Sequence, residues 1–174
     1  ALERAVQLDP SATAAWHGLA NALRAAGDLD AAQAAARRVV ALAPTRSAGW
    51  FNLGTLLREA GRVEEALQAL QRAQALGDAS PELRDALHGV LHDLGRVEEA
   101  LRGARRLVAE QPTFAPGQQT LASLLWENGD TAATGEDPFA ALRAAARAHP
   151  AQRDLQARYL AMLLAARQPA AALE

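Results

Sequence analysis

The residues able to do chemistry are few, and they fall at helical spacings. His88 and His92 stand four apart, a separation at which two imidazoles on one helix face can hold zinc. No third ligand follows in a recognisable motif, so the pair implies no metal site. The chain has no Cys, which excludes thiolate ligands, cysteine nucleophiles and disulfide scaffolds together and is compatible with either redox compartment. It contains no G-x-S-x-G, no P-loop, no H-E-x-x-H and no carboxylate pair with a supporting base. Catalysis and cofactors are therefore not expected. A second charged group comprises Arg37, Arg38, Arg72, Arg105 and Arg106. Glu64, Glu65, Glu98 and Glu99 open the same segments, where they offset helix dipoles and supply i,i+4-type pairs. A solvated face is favoured over a phosphate track.

The elements that must position these residues follow from composition and period. Of 174 residues 50% are hydrophobic and 22% charged, enough to bury a core and too apolar for disorder. With 4% aromatic residues and one Met, that core is built from Leu, Val and above all Ala, which implies closely packed helices. The 18 basic and 20 acidic residues leave a net charge of −2, so nothing in the bulk charge draws nucleic acid or an anionic membrane. No stretch approaches the ~18 apolar residues of a membrane span, and the chain opens at Ala1 within a helical pattern. A cytoplasmic location is the expectation.

Self-similarity decides the architecture. Gly27, Gly61, Gly95 and Gly129 are spaced 34 apart, as are Trp16 and Trp50, the series Leu19, Leu53, Leu87 and Leu121, and the series Ala32, Ala66 and Ala100. Pro10, Pro44 and Pro112 keep the register; Asp78 occupies the intervening slot, with Pro81 expected to supply the break three residues later. Within one period Trp16, Leu19, Ala20 and Leu23 recur at i, i+3, i+4 and i+7, an apolar stripe that predicts a helix from 14 to 26. Gly27 stops it, Asp28 and Asp30 cap a second helix, and Ala32, Ala36, Val39 and Val40 supply that helix's apolar face before Pro44. No segment alternates with the period of two that a sheet requires.

The unit resembles the tetratricopeptide repeat, W-x2-L-G-x2-Y then A-x3-F then P over 34 residues. Trp50, Leu53, Gly54, Leu57, Ala66 and Leu70 carry the likeness in the second unit, and Trp16, Leu19, Ala20, Leu23, Ala32, Ala36 and Pro44 in the first. The third shows Arg84 and His88 in place of Trp and Gly but keeps Leu87, Leu91, Ala100, Ala104 and Pro112. The expected organisation is a single array: the end of a partial repeat at 1–12, repeats at 13–46, 47–80 and 81–114, a repeat with a four-residue insertion around Thr131–Asp137 at 115–152, and a partial repeat at 153–174. In that fourth unit Asp137-Pro138 reads as a cap and first helical residue. Both ends cut through second helices, which suggests either capping sequence beyond them or end-to-end self-association.

The resemblance implies an all-α, right-handed superhelical solenoid of helix-turn-helix repeats whose first helices line a concave groove for a peptide or protein segment. Trp16 and Trp50 match the family's packing positions. With the Leu-Gly face inward, the free face of the first helices carries His17, Asn21 and Arg24, then Phe51, Asn52, Thr55 and Arg58, then Glu82, Asp85, Gly89 and His92, and finally Gln119, Ser123 and Trp126. Amide, guanidinium and imidazole groups on one face suit an extended peptide, since they can pair its backbone and carboxylates. Asn21 and Asn52 match amide members of the terminal-carboxylate clamp some relatives use, but its lysines have no counterpart and Glu82 stands where a base belongs. The asparagine ladder of the O-GlcNAc transferase arm is likewise interrupted, by His17, Gly18 and Ala86. Trp126, at the offset of Arg24, Arg58 and His92, either anchors a partner or packs under the inserted loop. Two functions follow: a protein-interaction module, or the substrate-recruiting arm of a larger enzyme such as a glycosyltransferase or oxygenase.

Overall fold

The first helices of the first three repeats each end at a glycine, Gly27, Gly61 and Gly95, whose positive φ strains any other residue. Gly27 and Gly61 adopt φ of +82° and +74°. At Gly27 the N–H donates to the Arg24 carbonyl while the Asp28 N–H reaches back to Leu23, and Gly61 and Arg62 repeat this with Arg58 and Leu57. That pair of bonds is the Schellman closure, which satisfies the last carbonyls of a helix and turns the chain sharply. Asp28 then caps the next helix, its Oδ1 accepting from the Ala31 N–H at 3.1 Å.

The computed structural model describes residues 2–127 continuously, together with single helical positions at 140, 143, 146, 147, 157, 160 and 161. The expected insertion around Thr131–Asp137 and the closing elements from Ala170 to Glu174 lie outside these residues. Among the described residues eight helices form: α1 (Leu2–Leu8), α2 (Thr13–Ala25), α3 (Leu29–Leu42), α4 (Ser47–Glu59), α5 (Val63–Ala75), α6 (Pro81–Asp93), α7 (Val97–Glu110) and α8 (Ala115–Glu127). The starts of α2, α4, α6 and α8 are 34 apart, and so are those of α3, α5 and α7.

Two compact units divide the chain, 1–94 and 95–174. In the first, one core runs through α2 to α6. Ala32, Ala66, Leu70, Ala73, Leu83 and Val90 are fully enclosed, with Leu53, Leu56 and Leu57 beside them. Alanines at these positions let helices approach closely. Gly54 goes further: a Cβ there would meet Leu70 Cγ and Cδ2 at 2.7 Å, so only glycine lets α4 sit this near α5. Trp16 and Trp50 pack against the core, and each indole Nε1–H donates to the carbonyl of the proline six residues earlier, Pro10 or Pro44, at 2.9 Å. The bond ties each first helix to the break before it.

The second unit repeats this tie with different chemistry. Gln118, buried on α8, donates from Nε2 to the Pro112 carbonyl, occupying the slot that tryptophan fills in earlier repeats. Leu101, Ala104 and Leu107 of α7 are buried, as are Leu121, Ala122, Leu124 and Leu125 of α8.

One expectation is corrected. Pro81 does not close the second repeat. Gly77, at φ +93°, ends α5, while Pro81 is the first residue of α6 behind Ser80, whose Oγ accepts from the Leu83 N–H at 3.3 Å. Proline has no N–H to lose at that position and its ring presets helical φ, so it starts helices as readily as it breaks them.

Candidate functional site

The face opposite the core on α2, α4 and α6 is built by the same period that builds the core. Once Leu53, Leu56 and Leu57 turn inward, Asn52, Thr55 and Arg58 of α4 must turn away. The same argument places His17, Asn21 and Arg24 on α2 and Glu82, Asp85 and His92 on α6. Asn21, Arg24, Arg58 and Glu82 are exposed; His17, Asn52, Thr55, Asp85 and His92 are partly buried. Phe51 is partly buried too, but it packs against the core and contributes an edge rather than a free ring. Gln119, Ser123 and Trp126 lie on α8 in the second unit, where Trp126 is 40% exposed.

Contacts across this face join residues 35 apart, one more than the period. The Asn52 side-chain amide and His17 Nε2 are joined by a hydrogen bond. Arg24 Nη1 pairs with Glu59 Oε1 at 3.3 Å. Arg58 Nε donates to Asp93 Oδ2 at 2.6 Å, with Nη2 3.4 Å from Oδ1. Arg24 and Arg58, the two guanidinium groups of this face, therefore each hold a carboxylate already. Glu59 and Asp93 escaped the sequence reading because it compared positions 34 apart, whereas a side chain on one first helix leans to the next residue along its neighbour. Searching for opposite charges at an offset of 35 would have found both.

Gly89 explains how Arg58 reaches Asp93. A Cβ on Gly89 would lie 2.4 Å from Arg58 Nη1 and 2.6 Å from Cζ, so the guanidinium rests directly on the bare backbone of α6. Nearby, the Thr55 hydroxyl donates to the Asn52 carbonyl at 2.9 Å, which occupies its proton.

His88 belongs to the core and not to this face. It fills the slot that Ala20, Gly54 and Ala122 fill in other repeats, is 8% exposed, and its Nδ1 has no hydrogen-bond partner. Burial, reinforced by the Arg84 cation, pushes its pKa down to about 4, so the ring is neutral at pH 7. Among the described residues no three His, Cys, Asp or Glu side chains gather where a metal could bind.

On and just before the second helices several charges are also paired, though not as i,i+4 neighbours of Glu64 and Glu98. Arg37 meets Glu65 of the next repeat at 3.1 Å; Arg62 and Arg96, just before α5 and α7, pair three residues ahead with Glu65 and Glu99. Arg62 also donates from Nη1 to Gln33 Oε1, 3.1 Å away. Only Arg106–Glu110 is an i,i+4 pair in this set. No helix among the described residues is long and apolar enough to cross a membrane.

The family profile of the tetratricopeptide repeat matches residues 1–46 and 17–81. No curated protein sequence matches the chain. Among solved structures, a thermophilic repeat protein of Thermus thermophilus superposes with a TM-score of 0.77 at 24% identity, over 94% of this chain and 87% of that one. YrrB, described as a repeat protein with an unusual peptide-binding site, gives 0.65 at 17% identity, over 97% and 84%. An O-GlcNAc transferase of Thermobaculum terrenum gives 0.64 at 25% identity, over 79% of this chain and 26% of its own. The 34-residue spacing of the helix starts, the glycine closures, the matched profile and these shared folds lead to one conclusion: the chain has the all-α, helix-turn-helix fold of the tetratricopeptide-repeat family, whose profile its residues 1–81 match.

Proposed function

We propose that this chain is a non-catalytic protein-interaction module whose first-helix face, on α2, α4 and α6, receives an extended peptide or protein segment. The observation that carries the reading is the row of donors and acceptors on that face: His17 with Asn52 and Arg58 with Asp93 are held by contacts between consecutive repeats, and Thr55 by the Asn52 carbonyl within α4. Side chains already oriented lose little entropy when a ligand binds, which is what lets a polar surface bind a flexible peptide. YrrB, of the same fold, carries a peptide-binding site, which supports the reading. Nuclear magnetic resonance mapping of peptides selected from a random library tests it. Shifts should cluster on His17, Asn52 and Arg58; clustering on Arg38, Arg72 and Arg106 of the second helices would sink it.

A second reading has its own support. The likeness to the O-GlcNAc transferase covers most of this chain and only 26% of that enzyme, as a recruiting arm would. Sequencing the complete reading frame separates the two, since an adjoining catalytic domain makes the module an arm.

A further inference from the structure

We propose that the cleft between the opening turns of α2 and α4 is a subsite for one carboxylate of the bound segment, with Arg46 as its receptor. This rests on the first-helix face being the binding surface. The cleft has a volume of about 220 Å³ and is lined by Thr13, His17, Arg46 and Ala48, with Val39 and Gly49 among its apolar walls. At roughly 30 Å³ per water it admits an acidic side chain and not merely solvent.

Its charge is what marks it. No Asp or Glu lines the cleft, and Arg46 has no ion pair or side-chain hydrogen bond among the described residues. Arg24, Arg37, Arg58, Arg62, Arg96 and Arg106 all have carboxylates. Arg46 is thus a guanidinium beside a cavity with no anion among the described residues to satisfy it. The other polar side chains of the lining, Thr13 and His17, carry no negative charge. The Thr13 hydroxyl can donate, and His17 is joined through Nε2 to Asn52, which leaves Nδ1 as its other polar atom. A carboxylate accepts from the guanidinium and the hydroxyl, donates nothing and brings the counter-charge that Arg46 lacks, whereas an ammonium would repel Arg46 and a neutral amide would offer one acceptor without charge. Arg46 lies in the turn before α4, apart from Asn21 and Asn52, so this subsite is a different construction from the terminal-carboxylate clamp for which the lysines are missing.

The test uses the 174-residue chain, ¹⁵N-labelled, titrated at low salt with three tripeptides. They are Ala-Asp-Ala and Ala-Asn-Ala, both blocked at each end, and Ala-Ala-Ala with only its C-terminal carboxylate free. The Asp peptide should shift the amides of Thr13, Ala48 and Gly49, and the Asn peptide should not. Shifts of the same amides by the third peptide identify a chain terminus as an equal source of the carboxylate; their restriction to the Asp peptide identifies a side chain. Arg46→Gln, at an exposed position, should leave the helical circular dichroism intact and weaken the Asp peptide about tenfold, while Arg72→Gln changes nothing. Equal shifts from the Asn peptide, undiminished binding by Arg46→Gln, or no shift at tens of millimolar would overturn the subsite. If library-selected peptides still map to the first-helix face and bind Arg46→Gln as tightly as the parent, the subsite alone fails; mapping to the second helices removes both.

Discussion

Within the first unit, the first-helix face and the seam between first and second helices follow one period but are held by opposite means. The seam is dry: Ala32, Ala66, Leu70 and Ala73 are wholly enclosed, and Gly54 is pressed onto Leu70 with no room for a methyl group. The face is wet and polar, joined by Asn52–His17, Arg24–Glu59 and Arg58–Asp93, all at least partly open to solvent. Apolar burial stabilises by roughly 25 cal/mol per Å², whereas exposed ion pairs contribute about 0–1 kcal/mol. Stability therefore concentrates in the seam, and the face is left able to exchange its partners. Surfaces that bind can be composed this way because little of the fold depends on them.

The largest effect should come from the seam. Leu70→Ala removes a fully enclosed side chain and should cost roughly 2–5 kcal/mol in urea unfolding, whereas Arg24→Ala on the face should cost no more than about 1 kcal/mol. Equal losses would erase the distinction between the two regions.

A titration comes next in size. The His88 pKa of about 4 lies below the 6.5 of an unfolded histidine. At pH above 6.5 both states are neutral and the contribution is complete; as the pH falls, the unfolded chain takes up a proton that the folded chain refuses, so stability declines between 6.5 and 4. The decline attributable to this residue should reach about 2–3 kcal/mol between pH 7 and 4.5. Because carboxylates titrate in the same range, the measurement is the difference between the parent and His88→Ala, whose slot alanine fills in neighbouring repeats. Parallel pH profiles for the two would show that the ring protonates in place.

The smallest effect sharpens the comparison most. Both Gly54→Ala and Gly89→Ala gain up to about 1 kcal/mol of helix propensity. At Gly54 the methyl group meets enclosed Leu70, and overpacking should cost about 1–3 kcal/mol, leaving a net loss. At Gly89 its nearest neighbours are the flexible end of Arg58, which can swing aside, so unfolding should be unchanged or slightly harder while the Arg58–Asp93 pair opens. A changed Arg58 Nε resonance with an unchanged urea midpoint is the expected signature. A large loss at Gly89 would mean that the face, too, supports the fold.

The repeat was legible because it is written in local rules. Gly27 and Gly61 stop helices through their own φ, Asp28 caps through its own side chain, and the Leu and Ala series follow from 3.6 residues per turn. Where two residues compete for one duty, local rules falter: Gly77 and Pro81 both interrupt helices, and only the left-handed φ of Gly77 shows which of them ends α5. Gln118 in the tryptophan slot was hidden for a similar reason, since any side chain able to donate over that distance can hold the Pro112 carbonyl.

The sequence by itself determined the all-α repeat, the inward Leu and Ala series and which residues turn away from them, because each is set by backbone geometry within one unit. Only the tertiary structure decided that Arg24 and Arg58 are answered by Glu59 and Asp93, that Gly89 serves as the seat of a guanidinium, that His88 is enclosed and neutral, and that Arg46 stands beside a cleft without an acid. Those facts depend on how far one helix is displaced and rotated against the next. A shift of a single residue, 35 in place of 34, sets the polar partners across the first-helix face while leaving the apolar pattern intact.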